Sequence, residues 1–134
     1  MEVPEHTNVK NLTTYWTWMG TDGIARTKVK PMAEVTLREA QENSVAVNSF
    51  ITETGKKYPL LIDARNVKSI TKEARDLFSI RNRETSVTAF GVLIHSPLSR
   101  IIGNFFMGLN KPSVPARLFT NEEEALIWLE QQKV

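Results

Sequence analysis

The sequence predicts a single α/β domain: a mixed, mostly parallel five-stranded sheet, opened by an N-terminal hairpin and accompanied by about four helices. Three observations carry that reading. Residues 60–62 and 89–94 are apolar or glycine at successive positions, the pattern of strands covered on both faces. Each run is followed by a segment whose apolar residues recur every three or four positions, so strands alternate with helices. Ahead of them, Gly20-Thr21-Asp22-Gly23 separates two short strand-like stretches, as a hairpin turn does.

The elements follow in order. Residues 12–19, rich in Thr, Tyr and Trp, read as a strand, and residues 24–29 as its return partner. Thr36-Leu37-Arg38-Glu39 is a capping box, in which hydroxyl and carboxylate satisfy orphan amides. Leu37, Ala40, Ser44, Val47 and Ile51 then recur at helical spacing to Thr54, and Gly55 ends the helix. Residues 58–64 form a central strand. Ser69 or Thr71 caps a second helix that buries Ala74, Leu77 and Phe78. Residues 86–94 form another central strand. Ser96-Pro97 starts a third helix carrying Leu98, Ile101, Ile102, Phe105, Phe106 and Leu109. Residues 116–119 form a short strand. Asn121-Glu122-Glu123-Glu124 opens the last helix, whose apolar face is Ala125, Leu126, Trp128 and Leu129. Repeated strand–helix–strand units imply right-handed crossovers and a mainly parallel sheet.

Composition narrows the chemistry. The 134 residues contain no cysteine, which removes disulfides, thiolate metal sites and cysteine nucleophiles. Seventeen basic and fifteen acidic residues leave a net charge of +2, without the dense basic, aromatic-laced stripe of a nucleic-acid binder. The polar N-terminus is not a signal peptide, and no apolar run approaches the roughly 20 residues of a membrane helix. The expectation is a cytoplasmic domain.

Two segments carry a family likeness. One is Leu60-Leu61-Ile62-Asp63-Ala64-Arg65-Asn66-Val67. The more specific one runs from His95-Ser96-Pro97-Leu98-Ser99-Arg100-Ile101-Ile102-Gly103-Asn104-Phe105-Phe106 through Ala116-Arg117-Leu118-Phe119 to Glu124-Ala125-Leu126-Ile127-Trp128-Leu129. With them, residues 59–134 resemble the SpoIIAA-like family, within the STAS superfamily. Residues 1–58 agree in element order only. The resemblance implies a (βα) superhelix with sequential strands side by side and the hairpin at one edge. It also implies two functional models. STAS anti-anti-sigma proteins bind a kinase or switch partner and are controlled by a serine at the start of the second helix, in an Asp-Ser-Ser-Gly stretch. Thr71-Lys72-Glu73-Ala74 stands there in this chain, so a module without the usual phosphoserine switch is expected. The similar arrangement of CRAL-TRIO lipid-transfer domains, where a mobile helix covers an apolar pocket, gives the third helix the part of a lid.

Ligands of open α/β sheets sit beyond the carboxyl ends of the strands. The candidates there are Asp63, Arg65, His95, Ser96 and Arg100, with Ser96 opening a helix whose free amides favour an anion. Ile102, Phe105 and Phe106 belong to a helix that is apolar nearly all round, and they are the apolar part of the candidate ligand site. Lys68, Lys72 and Arg75 form a candidate interaction surface. The plainer reading makes Asp63 a loop brace, Ser96 a cap and His95 a strand-end residue. No catalytic residues are expected. Ser96 and His95 are chain neighbours and point apart, the two histidines lack metal-ligand spacing, and no phosphate-binding glycine loop is present. The expected function is a non-enzymatic binding domain for an apolar or lipid-like ligand or an anionic membrane surface. The alternative is a protein-interaction module. A homodimer is expected under both, with no cofactor and no nucleic acid.

Overall fold

The structure, a computed structural model, describes residues 1–5, 8–74, 87–94 and 114–133. Its main sheet has six strands in the order β1 (Lys10–Asn11), β2 (Tyr15–Met19), β3 (Ala25–Val29), β5 (Tyr58–Asp63), β7 (Val87–Leu93) and β8 (Ala116–Phe119). The first three run antiparallel and the last three add in parallel. Strands adjacent in sequence are adjacent in space, with the hairpin at one edge. Two further two-residue strands, β4 (Glu34–Val35) and β6 (Ser69–Ile70), pair in parallel as a separate small sheet.

The sheet therefore has one strand more than expected, and the reason is local. Residues 12–19 are not one strand. Thr13 and Thr14 turn the chain between β1 and β2, closed by the Leu12 N–H on the Tyr15 carbonyl at 2.8 Å. No glycine or proline marks this turn. A distant side chain holds it instead: the Glu42 carboxylate accepts the Thr13 N–H at 2.7 Å and its hydroxyl at 3.2 Å.

Helix α1 (Leu37–Thr54) begins and ends where the sequence predicts. Glu39 reaches back to accept the Thr36 N–H at 3.2 Å and also accepts a hydrogen bond from its hydroxyl. Gly55 terminates the helix in the left-handed region, φ 72°, its N–H bonded to the Ile51 carbonyl at 2.8 Å. Ala40, Asn43, Ser44, Ala46, Val47 and Phe50 face inward, whereas Leu37, in the first turn, is exposed. Helix α2 (Glu122–Glu130) is capped by the Asn121 side chain, which accepts the Glu124 N–H at 2.9 Å.

The sheet is covered on both faces. On one, Val47 and Phe50 of α1 pack with Tyr58, Leu60, Phe90, Val92 and Ile94. On the other, Ala125 and Leu129 of α2 pack with Leu61, Ala89, Leu93 and Phe119. Tyr58 pairs with Val87 but Leu60 with Phe90, so β7 holds one residue more than β5 over that step. Such a bulge shifts the alternation, and Val87 and Phe90 lie in the same core cluster. This arrangement brings the carboxyl ends of β3, β5, β7 and β8 to one edge.

Candidate functional site

At that edge the end of β5 carries Asp63, 3% exposed. A bare carboxylate at such depth is costly, and this one is fully partnered. Arg65 donates to it through Nε at 2.9 Å, Nη2 at 2.7 Å and its backbone N–H at 3.2 Å. The Met1 ammonium lies 3.6 Å away and also 3.7 Å from Glu122. Burial alone raises the Asp63 carboxyl pKa; the Arg65 hydrogen bonds and the charges of Arg65 and the ammonium outweigh it, and the net direction is downward. Asp63 therefore stays ionised at neutral pH and serves as an acceptor, with no proton to give. Neighbouring strands are tied at the same level. The Ala64 N–H meets the Leu93 carbonyl at 3.1 Å, and the Ile94 N–H meets the Phe119 carbonyl at 2.9 Å.

Beside this brace lies a second cluster. The turn Lys30-Pro31-Met32-Ala33 leads from β3 into β4. Its Met32 N–H bonds to the Asn66 carbonyl at 2.8 Å, and its Ala33 carbonyl accepts the Lys68 N–H at 2.9 Å. The Lys68 ammonium is 3.7 Å from Glu34, both side chains more than half exposed. Thr71 donates its N–H to Val35 at 2.9 Å, and its hydroxyl accepts the Ala74 N–H at 3.3 Å, capping the helical stretch that Lys72 opens. Lys68, Lys72 and Glu73 are exposed. At the far end, Ile94, Arg117, Leu118, Phe119, Thr120 and Glu124 line an open, mostly polar cleft of about 190 Å³, below the roughly 300 Å³ at which small-molecule pockets begin.

Of the predicted site residues, the structure brings Asp63 and Arg65 into direct contact and sets Lys68 and Lys72 on the adjoining surface. His95, Ser96, Arg100, Ile102, Phe105, Phe106 and Arg75 lie outside the described residues. Sequence reasoning did not find Met32 or Glu34 beside Lys68, nor Arg117 and Glu124 at the cleft. Only Pro31, which favours a turn, pointed to the first pair. Among the described residues, no group of three His, Asp or Glu is placed to hold a metal ion.

Sequential strands, mostly parallel, with a helix on each face and a hairpin at one edge define the SpoIIAA-like fold. Two solved structures share it. One is an uncharacterized protein of the DUF3478 family from Shewanella loihica PV-4, described as having a SpoIIAA-like fold. It is 11% identical, with a TM-score of 0.61 over 96% of this chain and 98% of that one. The other is the anti-sigma factor antagonist SpoIIAA in its unphosphorylated form, 14% identical, with a TM-score of 0.57 over 85% of this chain and 96% of that one. A protein of unknown function from Arthrobacter sp. FB24 is 29% identical over 84% of this chain and 96% of its own, with a TM-score of 0.32. No curated protein matches the chain by sequence. The chain belongs to the family described as domain of unknown function DUF7793, whose pattern matches residues 17–133.

Proposed function

We propose that this domain is a non-enzymatic, SpoIIAA-like docking module that binds a protein partner through the surface formed by Lys68, Lys72 and the strands β4 and β6. One observation carries the reading. Among the described residues at the carboxyl edge, the buried carboxylate Asp63 is closed off by Arg65, while exposed polar groups lie on the neighbouring surface. A group with its acceptor sites filled and its proton lost is a brace, not an acid, a base or a nucleophile. The fold likeness to an anti-sigma factor antagonist supports a regulatory role. Thr71-Lys72-Glu73-Ala74 at the start of the helical stretch supports docking without a phosphoserine switch, since the Thr71 hydroxyl serves as a cap.

The test is affinity capture with chemical crosslinking, using the wild-type chain and a variant carrying Lys68→Glu and Lys72→Glu. The expected result is a partner crosslinked at this surface and lost from the double variant. A partner held equally by a folded double variant refutes the reading. Self-association as a homodimer belongs to the same proposal. Sedimentation velocity showing monomer alone at high concentration removes it.

The apolar surround of residues 98–109 in the sequence supports a second reading, binding of a lipid-like ligand or peripheral attachment to an anionic membrane. Among the described residues, no helix is long and apolar enough to cross a membrane. Flotation with anionic liposomes decides it: Phe106→Glu should abolish binding, and unchanged flotation excludes this reading.

A further inference from the structure

The two edges of the main sheet differ. At one, β1 is only two residues long, and the Lys10 ammonium beside it is held by Ser49 at 2.7 Å and Glu53 at 2.6 Å. At the other, β8 has four residues and, among the described residues, no strand beyond it. The Phe90 N–H meets the Pro115 carbonyl at 3.0 Å and the Ile94 N–H the Phe119 carbonyl at 2.9 Å. The odd-numbered residues of this segment therefore turn their backbone groups toward β7. Backbone direction alternates along a strand, so Ala116 and Leu118 turn their N–H and C=O groups outward, where no described residue bonds them. Such a row is a template for another strand unless shortness, proline or a bulge blunts it. Shortness blunts β1. The pairing of β8 with β7 has no register shift, and no proline lies within β8.

The charges around β8 say which strand fits. Arg117 is exposed in mid-strand, its guanidinium 5.4 Å from the centre of the Phe119 ring. Glu124, exposed on α2, lines the same cleft. Neither is in an ion pair, with the other or with any further residue. Exposed Glu123 adds a second acid at that end, whereas Glu122 faces the Met1 ammonium. The edge therefore carries a cation in mid-strand and acids past its carboxyl end. A uniformly acidic or uniformly basic partner leaves one of the two unmatched. An antiparallel copy of the same edge matches both, because reversal lays Arg117 of each chain toward the acidic end of the other. The register centred on Arg117 sets like charges directly opposite, which is destabilising. The register centred on Leu118 opposes the outward backbone groups equally well. It sets Arg117 against the second copy's Phe119, at the level of its Glu124. We infer that β8 pairs antiparallel with β8 of a second copy about Leu118, joining two six-stranded sheets into one. Strand addition of this kind draws affinity from main-chain hydrogen bonds, and a two-fold contact between identical surfaces closes at the dimer. The inference rests on the homodimer proposed above and assigns its surface.

Sedimentation velocity over a range of concentrations tests it, on wild type and on charge variants. Arg117→Glu and Glu124→Arg should each weaken the dimer at least about tenfold, since each sets like charges together twice across the axis. The two combined restore opposite charges and should return the affinity to within about threefold of wild type, which a merely structural role for either residue does not produce. A second arm uses the absence of cysteine from the chain. Residues of a hydrogen-bonded antiparallel pair lie about 5.5 Å apart at Cα, within disulfide reach. Leu118→Cys should therefore give a covalent dimer on mild oxidation, and Thr52→Cys, exposed on α1, should give none. Monomer at every concentration overturns both this inference and the homodimer. A dimer that both single charge variants leave intact, or single losses that the combination does not rescue, overturns β8 as the surface and leaves a dimer formed elsewhere. Crosslinking of Thr52→Cys as efficient as that of Leu118→Cys overturns it in the same way.

Discussion

Replacing Asp63 by asparagine keeps the volume of the side chain and removes its charge. The structure sets the size of the effect. Three donors from Arg65 converge on the carboxylate at 2.7–3.2 Å, and the carboxylate is almost wholly removed from water. An amide offers one acceptor oxygen and turns an NH₂ group toward a remaining donor. Losing a charged hydrogen bond costs about 1.5–3 kcal/mol. The Arg65 side chain is 25% exposed and stays partly solvated, which favours the lower half of that range, about 2 kcal/mol. With an unfolding entropy of roughly 2.1 cal/mol/K per residue, that is a fall of about 7 °C in Tm. The effect depends on pH in a defined sense. The folded carboxyl sits below its ordinary value, so its contribution is complete above the unfolded pKa of about 3.9 and disappears as pH falls through the folded value. Urea unfolding of wild type and Asp63→Asn between pH 7 and pH 3 measures both. The gap should be full at pH 7 and narrower at pH 3. Equal stability at pH 7, or a gap constant across the range, refutes the brace.

Two further predictions concern the frame around it. A Cβ added at Gly91, in the middle of β7, meets Phe119 Cε2 at 3.2 Å and Leu129 Cδ1 at 3.6 Å. Gly91→Ala should cost about 1–3 kcal/mol and shift the fluorescence of Trp128, whose ring packs on Phe119 at 5.6 Å; an unaltered midpoint and spectrum contradict this. At Gly55 nothing lies within 4 Å of an added Cβ, so Gly55→Ala isolates the backbone cost of a positive φ, about 1 kcal/mol. Denaturation should place Gly55→Asn between the two, and an alanine variant as stable as wild type defeats the argument.

What was legible in the sequence is what local chemistry writes. Helix α1 runs from capping box to glycine because both signals act within a few residues. Strands β5 and β7 each lie within one residue of the predicted bounds, because an unbroken apolar run marks a strand buried on both faces; the short β8 has the predicted bounds although exposed Arg117 interrupts it. The Thr13–Thr14 turn was illegible because Glu42, in another element, holds it. Two-residue strands such as β4 and β6 have no periodicity to read. Leu37 matched the helical spacing yet is exposed, since the inward stripe starts at Ala40. At the site, the position of Asp63 and Arg65 at the end of a strand was predictable. Their mutual closure was not, because it depends on where the chain turns after Asp63.

That closure separates scaffold from contact. An ionised carboxylate held by its own neighbour fixes the end of β5 and the loop after it, and the same loop gives the Asn66 carbonyl to Met32 and the Lys68 N–H to Ala33. Two backbone hydrogen bonds thus tie the exposed turn to the loop that Asp63 braces. Preorganised contact residues bind with less loss of entropy, so a buried charge pair at the strand end can raise affinity at a surface it never touches. Asp63→Asn should then weaken docking at Lys68 by a few-fold through a looser loop, and a folded Asp63→Asn variant that binds its partner as tightly as wild type refutes this step.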